Sequence, residues 1–409
     1  MKNMTWLTVL QFANYLVPLL IIPYVVRKLG VEVFGSVSYT QNIISYLTII
    51  VNFGFEYSAT QEIALNKGNQ QALCQVFWSV IRFKSFLLLL SFVVLIFLGV
   101  FFDKVSGDKM LYLYGSLINI GVVLFPTWFF QGIETMSKMT IFNFLIKIIG
   151  AVFTILLINN AADYRIYILI PSLAYIVIGV FAFAYIIRKY NLYPLVKENL
   201  ICSSVVRKGF PIFLNNIFAT LYTIAGMTIL GLYISDHQLG IYSGANKIIV
   251  AFIMFTSIPI SISLFPAMSR KFETSLNDGI QFFKKTLFGV GIFGIICSLS
   301  IYITAPLLVK LILGNNFEES VSLLKLFSPL PFLVIVASMF TVQGMYGLQL
   351  QKYAPYVGAT IGLFSILLNF YLIPRIGIYG AAWSYICSEM LEILLVGFVI
   401  IRNLRCIKY

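Results

Sequence analysis

Two lysines lie inside long apolar stretches of the chain, where a charged side chain is costly. Lys147 follows Lys138 by nine residues, and Lys247 follows Gly240 by seven. At the helical rise they lie about 13 Å and about 10 Å into those stretches, and a charge at the bilayer centre costs roughly 2.5–3.5 kcal/mol. We expect both lysines to line a polar cavity. Extension of the amine toward the interface and structural pairing with an acid are the alternatives.

Carboxylates and amides in the same stretches are the other candidates for chemistry. Glu389 and Glu392 are three residues apart and share a helix face, whereas Glu56 and Glu134 close predicted spans. For the pair, a structural ion pair or a place at the lipid interface is the favoured interpretation. The neutral candidates, for which hydrogen bonds between helices are the default, are Gln41, Asn42, Asn215 and Asn216.

The composition indicates a polytopic membrane protein. The chain is 60% hydrophobic and 11% charged, whereas a soluble protein is about 25% charged. Its net charge of +13 is typical of a membrane protein that uses Lys and Arg for topology, so nucleic-acid binding is not expected. The five cysteines have no metal-binding spacing, His237 is the single histidine, and no GxxxxGK(S/T) loop occurs. We expect no metal, no cofactor and no ATPase activity.

Twelve stretches are long enough to cross a bilayer as helices of about 20 residues. They are residues 5–26, 35–57, 80–102, 110–132, 139–158, 165–187, 210–233, 240–267, 286–308, 323–346, 355–373 and 379–401. Prolines such as Pro126, Pro171 and Pro259 interrupt them, and each removes a backbone donor. Ordinary kinking of membrane helices is the favoured explanation, and hinges around a cavity are the alternative. The predicted fold is all-α.

A weak internal repeat divides the chain. Val31–Ile44 matches Asp236–Ile249 at an offset of 205 residues, half of the 409. The same offset aligns Pro126 with Pro331 and Lys147 with Lys352. Duplicated halves are common in transporters. We therefore predict two pseudo-symmetric six-helix lobes, residues 1–190 and 210–409, joined by a linker at 191–209.

The distribution of lysine and arginine predicts the orientation. Connections on one side of the predicted membrane hold 18 of the 28 basic residues, including Lys67, Lys84 and those of the linker, and the other side holds eight. Positively charged connections stay in the cytoplasm. We therefore expect both termini and Arg188–Gly209, the longest polar connection, to be cytoplasmic.

The segment Pro126–Met136, PTWFFQGIETM, carries the most specific resemblance to a known family. From physics alone, Trp128, Phe129 and Phe130 would form an aromatic belt at the cytoplasmic interface. The chain resembles the Wzx-type O-antigen flippases, in the polysaccharide-exporter branch of the MATE-like (MOP) superfamily. The other matching pieces are RKLGVEVFG at Arg27–Gly35, GFEYSATQEIA at Gly54–Ala64, GIYSGANKI at Gly240–Ile248 and GIYGAAWS at Gly377–Ser384. Gln61 stands where family members often carry a basic residue.

The resemblance implies a transporter rather than an enzyme. Such proteins carry an undecaprenyl-diphosphate-linked oligosaccharide from the cytoplasmic to the periplasmic leaflet of the bacterial inner membrane. A groove between two lobes, open to each face in turn, would hold the headgroup while the polyprenyl tail stays in membrane lipid. Lys147 and Lys247 suit the diphosphate, and the amides suit the sugars. An ion gradient is expected to drive transport, with Glu56, Glu134 and Glu389 as candidate coupling carboxylates, and a polymerase and a chain-length regulator are candidate partners.

Three alternatives are left open. A drug/cation antiporter of the same superfamily needs a carboxylate deep in a lobe, and the acidic residues here are predicted mainly near span ends. A membrane-embedded polymerase or ligase would usually have a large outer loop, which the sequence does not contain. The third alternative is a major-facilitator carrier. It is disfavoured because the connection ATQEIALNKGNQQ lacks that family's glycine–acid–arginine pattern.

Overall fold

The computed structural model describes residues 17–193 and 203–407, and these residues form helices without a β-strand. The chain divides into two compact units, Met1–Ile217 and Phe218–Tyr409. The first unit extends to Ile217 because the end of the predicted linker and the residues after it pack on this unit. Phe213 stacks on Phe53 at 4.9 Å between ring centroids, and Lys208 pairs with Glu62 at 3.0 Å. Residues 194–202 of the predicted linker lie outside the described part.

The first unit is built around α10, which packs on several neighbours along its length. Its helices are α1 (17–29), α2 (Val31–Asn52), α3 (Phe55–Leu65), α4 (Gln70–Phe101), α5 (Asp103–Ser106), α6 (Lys109–Ser116), α7 (Ile118–Leu124), α8 (Thr127–Gly132), α9 (Met136–Leu157), α10 (Tyr164–Tyr190) and the start of α11 (Ser203–Tyr233). α7 and α10 approach closely because Gly121 has no side chain: a Cβ there would lie 2.6 Å from Tyr175.

The second unit has longer helices and one π-helical segment. It contains the end of α11, then α12 (Asp236–Thr274), α13 (Leu276–Ile312), α14 (Glu319–Phe327), α15 (Leu330–Ser338), the π-helix Met339–Tyr346, α16 (Ala354–Ile376) and α17 (Ile378–Ile407). α12 packs on α13, α14 and α15, and α17 packs on α15, α16 and the π-helix. A small apolar cluster of Met345, Val396 and Ile400 fixes the π-helix against α17.

Nine helical segments in the described part are long and apolar enough to cross a membrane, and the broken pair Ser204–Phe218 and Thr223–Tyr233 adds a tenth. The predicted all-α membrane fold is therefore confirmed. Eleven of the predicted spans fall, in order, on these segments or on α2, and the span at 5–26 lies partly outside the described residues. The number twelve stays a prediction.

The internal repeat is visible in the helix boundaries. α2 begins at Val31 and α12 at Asp236, at the 205-residue offset that the sequence indicates. The agreement is lost toward the end of each half. Lys147 lies inside α9, whereas Lys352 lies in the short 3₁₀ turn Gln351–Tyr353 before α16, so this matched pair is not equivalent in structure.

Two predicted spans of the first unit are broken. The span at 35–57 ends early because Phe53 and Gly54 have φ values of 47° and 75°, left-handed values that terminate a helix. The span at 110–132 is divided into α6, α7 and α8. Its second break occurs at Phe125, which is extended at φ −102° and ψ 90°, as expected for a residue before proline.

The aromatic motif lies in the core of the first unit, so the expectation of an aromatic belt is wrong. Trp128, Phe129 and Phe130 are each 0% exposed. Phe77 of α4 contacts both Trp128 and Phe129 at ring-centroid distances of 5.8 Å and 5.6 Å. The Pro126 break turns α8 inward against α3 and α9. Burial of the three large aromatic side chains there stabilises the first unit.

Candidate functional site

Lys84 is the most buried cation in the described part of the chain, and the sequence analysis misplaced it in a cytoplasmic connection. It lies 14 residues after the start of α4 and is 2% exposed. Its Nζ donates to Asn52 Oδ1 at 3.2 Å and to the carbonyl of Val122 at 3.1 Å. α4 begins ten residues before the predicted span, which places Lys84 in its interior, and removing Lys84 from the count leaves seventeen basic residues against eight.

Lys147 lies on a polar face of α9. This face consists of Thr140, Asn143, Lys147, Gly150 and Thr154, spaced three and four residues apart. The neutral side chains bond to carbonyls of their own helix, for example Asn143 Nδ2 to Met139 at 3.1 Å. Lys147 is half-buried and, within the described residues, its ammonium has no hydrogen bond or ion pair. A Cβ added at Gly150 would meet nothing within 4 Å, so open space adjoins this face.

The four candidate amides all belong to the first unit. Gln41 and Asn42 are half-buried in α2, and a side-chain hydrogen bond joins Gln41 to Tyr167 of α10. Asn215 is exposed and Asn216 half-buried in the part of α11 that precedes Phe218. Their grouping with the first unit, rather than with the second lobe, differs from the predicted lobe assignment.

Glu56 and Glu134 occupy the first unit near the two helix breaks. Glu56 is exposed in the first turn of α3 and accepts a hydrogen bond from Thr127 at 3.4 Å. Glu134, at φ 61°, closes the turn after α8 and pairs with Lys67 at 2.8 Å, with 67% of its side chain exposed. This exposed ion pair gives Glu134 a local partner.

The second unit contains two neighbouring carboxylates, one buried and one half-buried. Glu389 is 4% exposed in α17, and Glu392, one turn later, accepts a hydrogen bond from Thr341 of the π-helix at 2.8 Å. Neither carboxylate has an ion pair within the described residues. The burial of Glu389 does not fit a lipid-interface position, and a structural ion pair at this residue stays a prediction. The two carboxylates lie close enough to interact electrostatically.

The π-helix brings a second polar group into the same unit. Gln343 is 0% exposed, and its Nε2 donates to the carbonyl of Ser261 in α12 at 3.0 Å. Ser261 Oγ lies 2.6 Å from Ser338 Oγ of α15. π-Helical turns are frequent at functional sites. Lys247 is half-buried in α12, 11 residues after the start of the helix.

No three His, Cys, Asp or Glu residues of the described ranges lie close enough to hold a metal ion. The buried polar side chains of the described residues are mostly serines and threonines, together with one lysine, three amides and one carboxylate.

A family model described as "Polysaccharide biosynthesis protein" matches residues 1–272, well over half of the chain. The chain belongs to this family. Two relatives carry the name "Putative O-antigen transporter". The one from Escherichia coli (strain K12) is 29% identical over 393 residues, covering 95% of this chain and 94% of the relative. The one from Shigella dysenteriae is 27% identical and covers 98% of both.

Solved structures place this member of the polysaccharide biosynthesis protein family in the MATE-like fold. An inward-facing multidrug resistance MATE transporter of the MOP superfamily has a TM-score of 0.68 at 13% identity and covers 98% of both chains. The lipid II flippase MurJ, in an inward closed conformation, also has a TM-score of 0.68 at 13% identity. It covers 96% of this chain and 87% of that one.

Four buried residues with a charged or amide side chain were missed by the sequence analysis of this family member. Lys84 was counted as a loop residue, and Asn119, Gln343 and Asn369 were not singled out. The signal for Lys84 was available: the apolar stretch Leu73–Phe83 before it, with Arg82 as its only charged residue, allows a helix that starts well before residue 80. Nothing in the sequence separates Asn119 or Gln343 from an interfacial amide.

Proposed function

We propose that the protein is a flippase that moves a diphosphate-linked oligosaccharide on an undecaprenyl carrier from the cytoplasmic to the periplasmic leaflet of the bacterial inner membrane. Family membership and the MATE-like fold support this function. The observation that carries it is Lys147, a charged group inside a membrane helix without a protein partner in the described residues. A diphosphate headgroup is an anion that such a lysine binds well.

The face that carries Lys147 also offers polar groups and space for the sugars. Asn143 shares the face of Lys147, and the space beside Gly150 leaves room along it. Gln41, Asn42, Asn215 and Asn216 are the further amides proposed for sugar contacts, with Lys247 as a second cation. The polyprenyl tail needs no binding site, because it is as apolar as the surrounding lipid. The protein works by exposing its binding site to each face in turn.

The charge at Lys147 and Lys247 gives the first test. Lys147→Gln and Lys247→Gln should each lower translocation roughly tenfold or more, the value of one charge-assisted hydrogen bond, while arginine at either site retains more activity. Lys138→Gln is the matched control, since Lys138 is exposed on the same helix as Lys147. Full activity in both glutamine variants contradicts the assignment of these lysines to the substrate path.

Loss of the whole protein tests the function itself. In its absence lipid-linked repeat units should accumulate in the cytoplasmic leaflet while surface polysaccharide disappears. If single repeat units still reach the periplasm and only chain growth stops, the protein is a polymerase. The same assay in strains lacking the polymerase or the chain-length regulator tests whether either protein is a partner. Unchanged delivery of single units means that the flippase works without the missing protein, and loss of delivery means that it depends on that protein.

We propose that transport is coupled to an ion gradient, with Glu389 as the first candidate and Glu56 and Glu134 behind it. Two neighbouring carboxylates in an apolar interior favour the uptake of a proton or a cation, because uncompensated charges are costly there. Glu389 also favours a second candidate function. A drug/cation antiporter needs a buried carboxylate, and the expectation that acids lie mainly near span ends does not hold for Glu389. Loss of organic-cation export in a deletion strain, with unchanged surface polysaccharide, would establish the antiporter.

The orientation with both termini and the 191–209 linker in the cytoplasm also belongs to the proposal. It is supported by the seventeen-to-eight distribution of basic residues. A cysteine at position 106 should react with an impermeant reagent from the periplasm, and one at position 197 should not. The reverse labelling pattern inverts the orientation.

A further inference from the structure

Lys84 lies at the level where two helices of the first unit break. α7 ends at Leu124, and the carbonyl of Val122 would normally bond to the N–H of residue 126. Residue 126 is a proline and has no N–H. The carbonyl of Val122 therefore has no helical partner, and a buried acceptor left unsatisfied costs roughly 1–3 kcal/mol.

The ammonium of Lys84 occupies the place of the missing donor. Its Nζ lies 3.1 Å from the carbonyl of Val122. A lysine 14 residues into α4 lies about 21 Å from the start of that helix, and both of its hydrogen bonds are made inside the first unit. With 2% of its surface exposed, Lys84 has no free face for a substrate.

The second contact of Lys84 extends this arrangement to the other break. Asn52, whose Oδ1 accepts from Lys84 at 3.2 Å, is the last residue of α2 before the left-handed Phe53. The short helices that follow the two breaks, α3 and α8, are joined to each other: Thr60 Oγ1 donates to the carbonyl of Trp128 at 3.1 Å. One ammonium therefore holds the ends of α2 and α7 together above a packed pair of short helices.

We infer that Lys84 replaces the backbone donor that Pro126 lacks and fixes the α2 and α7 breaks to one another, as a positioning residue rather than a substrate contact. This goes beyond the proposed function, because it concerns the folding of the first unit whatever the protein carries. The inference also distinguishes Lys84 from Lys147. The ammonium of Lys84 donates to two groups of the first unit, whereas the ammonium of Lys147 has no hydrogen bond within the described residues.

A double-mutant cycle tests the inference on the full-length protein in detergent. Lys84→Met should lower the thermal midpoint by roughly 2–10 °C, the effect of one unsatisfied acceptor in a unit of this size. In a Pro126→Ala background, where an N–H is restored at position 126, the same change should lower the midpoint by less than half as much. Pro171→Ala, at a proline inside α10, is the matched control and should leave the full loss. Equal losses in the wild-type and Pro126→Ala backgrounds overturn the inference.

Two further measurements keep the test decisive. If Lys84→Met does not accumulate, abundance in the membrane replaces the thermal midpoint, and restoration by Pro126→Ala but not by Pro171→Ala supports the inference. Translocation by the Lys84→Met/Pro126→Ala protein is compared with that of Pro126→Ala alone. Similar rates support a positioning role. A stable double variant that has lost translocation shows that the ammonium acts on the substrate, and this refutes the positioning role without affecting the proposed flippase function.

Discussion

The two units of the protein have a helix break at corresponding places and stabilise it with opposite chemistry. In the first unit, Pro126 leaves the carbonyl of Val122 without a donor, and α4 supplies the ammonium of Lys84. In the second unit, the break before α15 lies next to Pro331, and α13 supplies Ser298. Its Oγ accepts from the backbone N–H of Phe332 at 3.3 Å. α13 is the counterpart of α4 in the repeat, so the corresponding helix supplies the hydrogen-bond partner at the break in each unit.

The difference shows that a duplicated helix keeps the need for a polar partner without keeping the residue. The offset of 205 places Gly289 opposite Lys84, and Ser298 lies nine residues further along α13. In the first unit the free group is a carbonyl, and a charged ammonium donates to it. In the second unit the free group is an N–H, and a neutral hydroxyl accepts from it. Charge inside a membrane helix therefore does not by itself indicate a substrate site.

A second difference lies in the remaining ionisable groups. The same offset aligns Asn42 of α2 with Lys247 of α12. The first unit also carries Lys147, whereas the second contains the buried Glu389 and the half-buried Glu392. The units have thus diverged in charge while α2 and α12 still begin at equivalent residues.

The largest predicted effect tests whether the first unit depends on the aromatic core around its break. Trp128→Ala removes a fully buried indole and should destabilise the first unit by about 3–5 kcal/mol, with a large loss of protein in the membrane. Trp383→Ala in the second unit is the control, because that side chain is 46% exposed. Abundance and thermal midpoint are measured for both variants. Similar losses for the two would contradict the assignment of Trp128 to a structural core.

The next effect concerns the carboxylates of the second unit. Glu389→Gln should reduce the stimulation of translocation by an imposed ion gradient roughly fivefold or more, within the usual range of coupling between sites. Translocation without a gradient should change less. Glu318→Gln, at an exposed carboxylate of the same unit, is the control. If the Glu389→Gln protein still responds fully to the gradient, Glu389 is not the coupling carboxylate, and Glu56 and Glu134 are the next candidates.

The helices themselves were predictable, and their interruptions were not. Apolar stretches of about 20 residues locate the spans, and the repeat predicts that α12 begins like α2. Hydropathy does not predict the break at Phe53, because the break depends on backbone conformation and not on side-chain polarity. Only tertiary contact shows that Gly54 is required there: a Cβ at this position would lie 2.8 Å from the carbonyl of Gly209.

Burial was the main limit in predicting the site. The sequence separates charged from apolar residues, but it does not show which side of a membrane helix faces protein. Trp128 was therefore expected at an interface and Lys84 in a connection, although both are buried. Lys147 and Lys247 were found because their flanking residues are apolar on both sides. Lys84 also has apolar residues on both sides, but Arg82 lies two residues before it, and Lys84 was therefore assigned to a basic end.

The smallest predicted effect completes the comparison of the two breaks. Ser298→Ala removes the hydroxyl that accepts from the N–H of Phe332, and the net loss of one neutral hydrogen bond is about 1 kcal/mol. The thermal midpoint should fall by roughly 2–4 °C, less than for Lys84→Met, because the bond to Lys84 is charge-assisted and also holds Asn52. Ser300→Ala, two residues along the same helix, is the control. If Ser298→Ala lowers the thermal midpoint as much as Lys84→Met does, the two hydrogen bonds contribute equally to stability, and the charge at Lys84 needs another explanation.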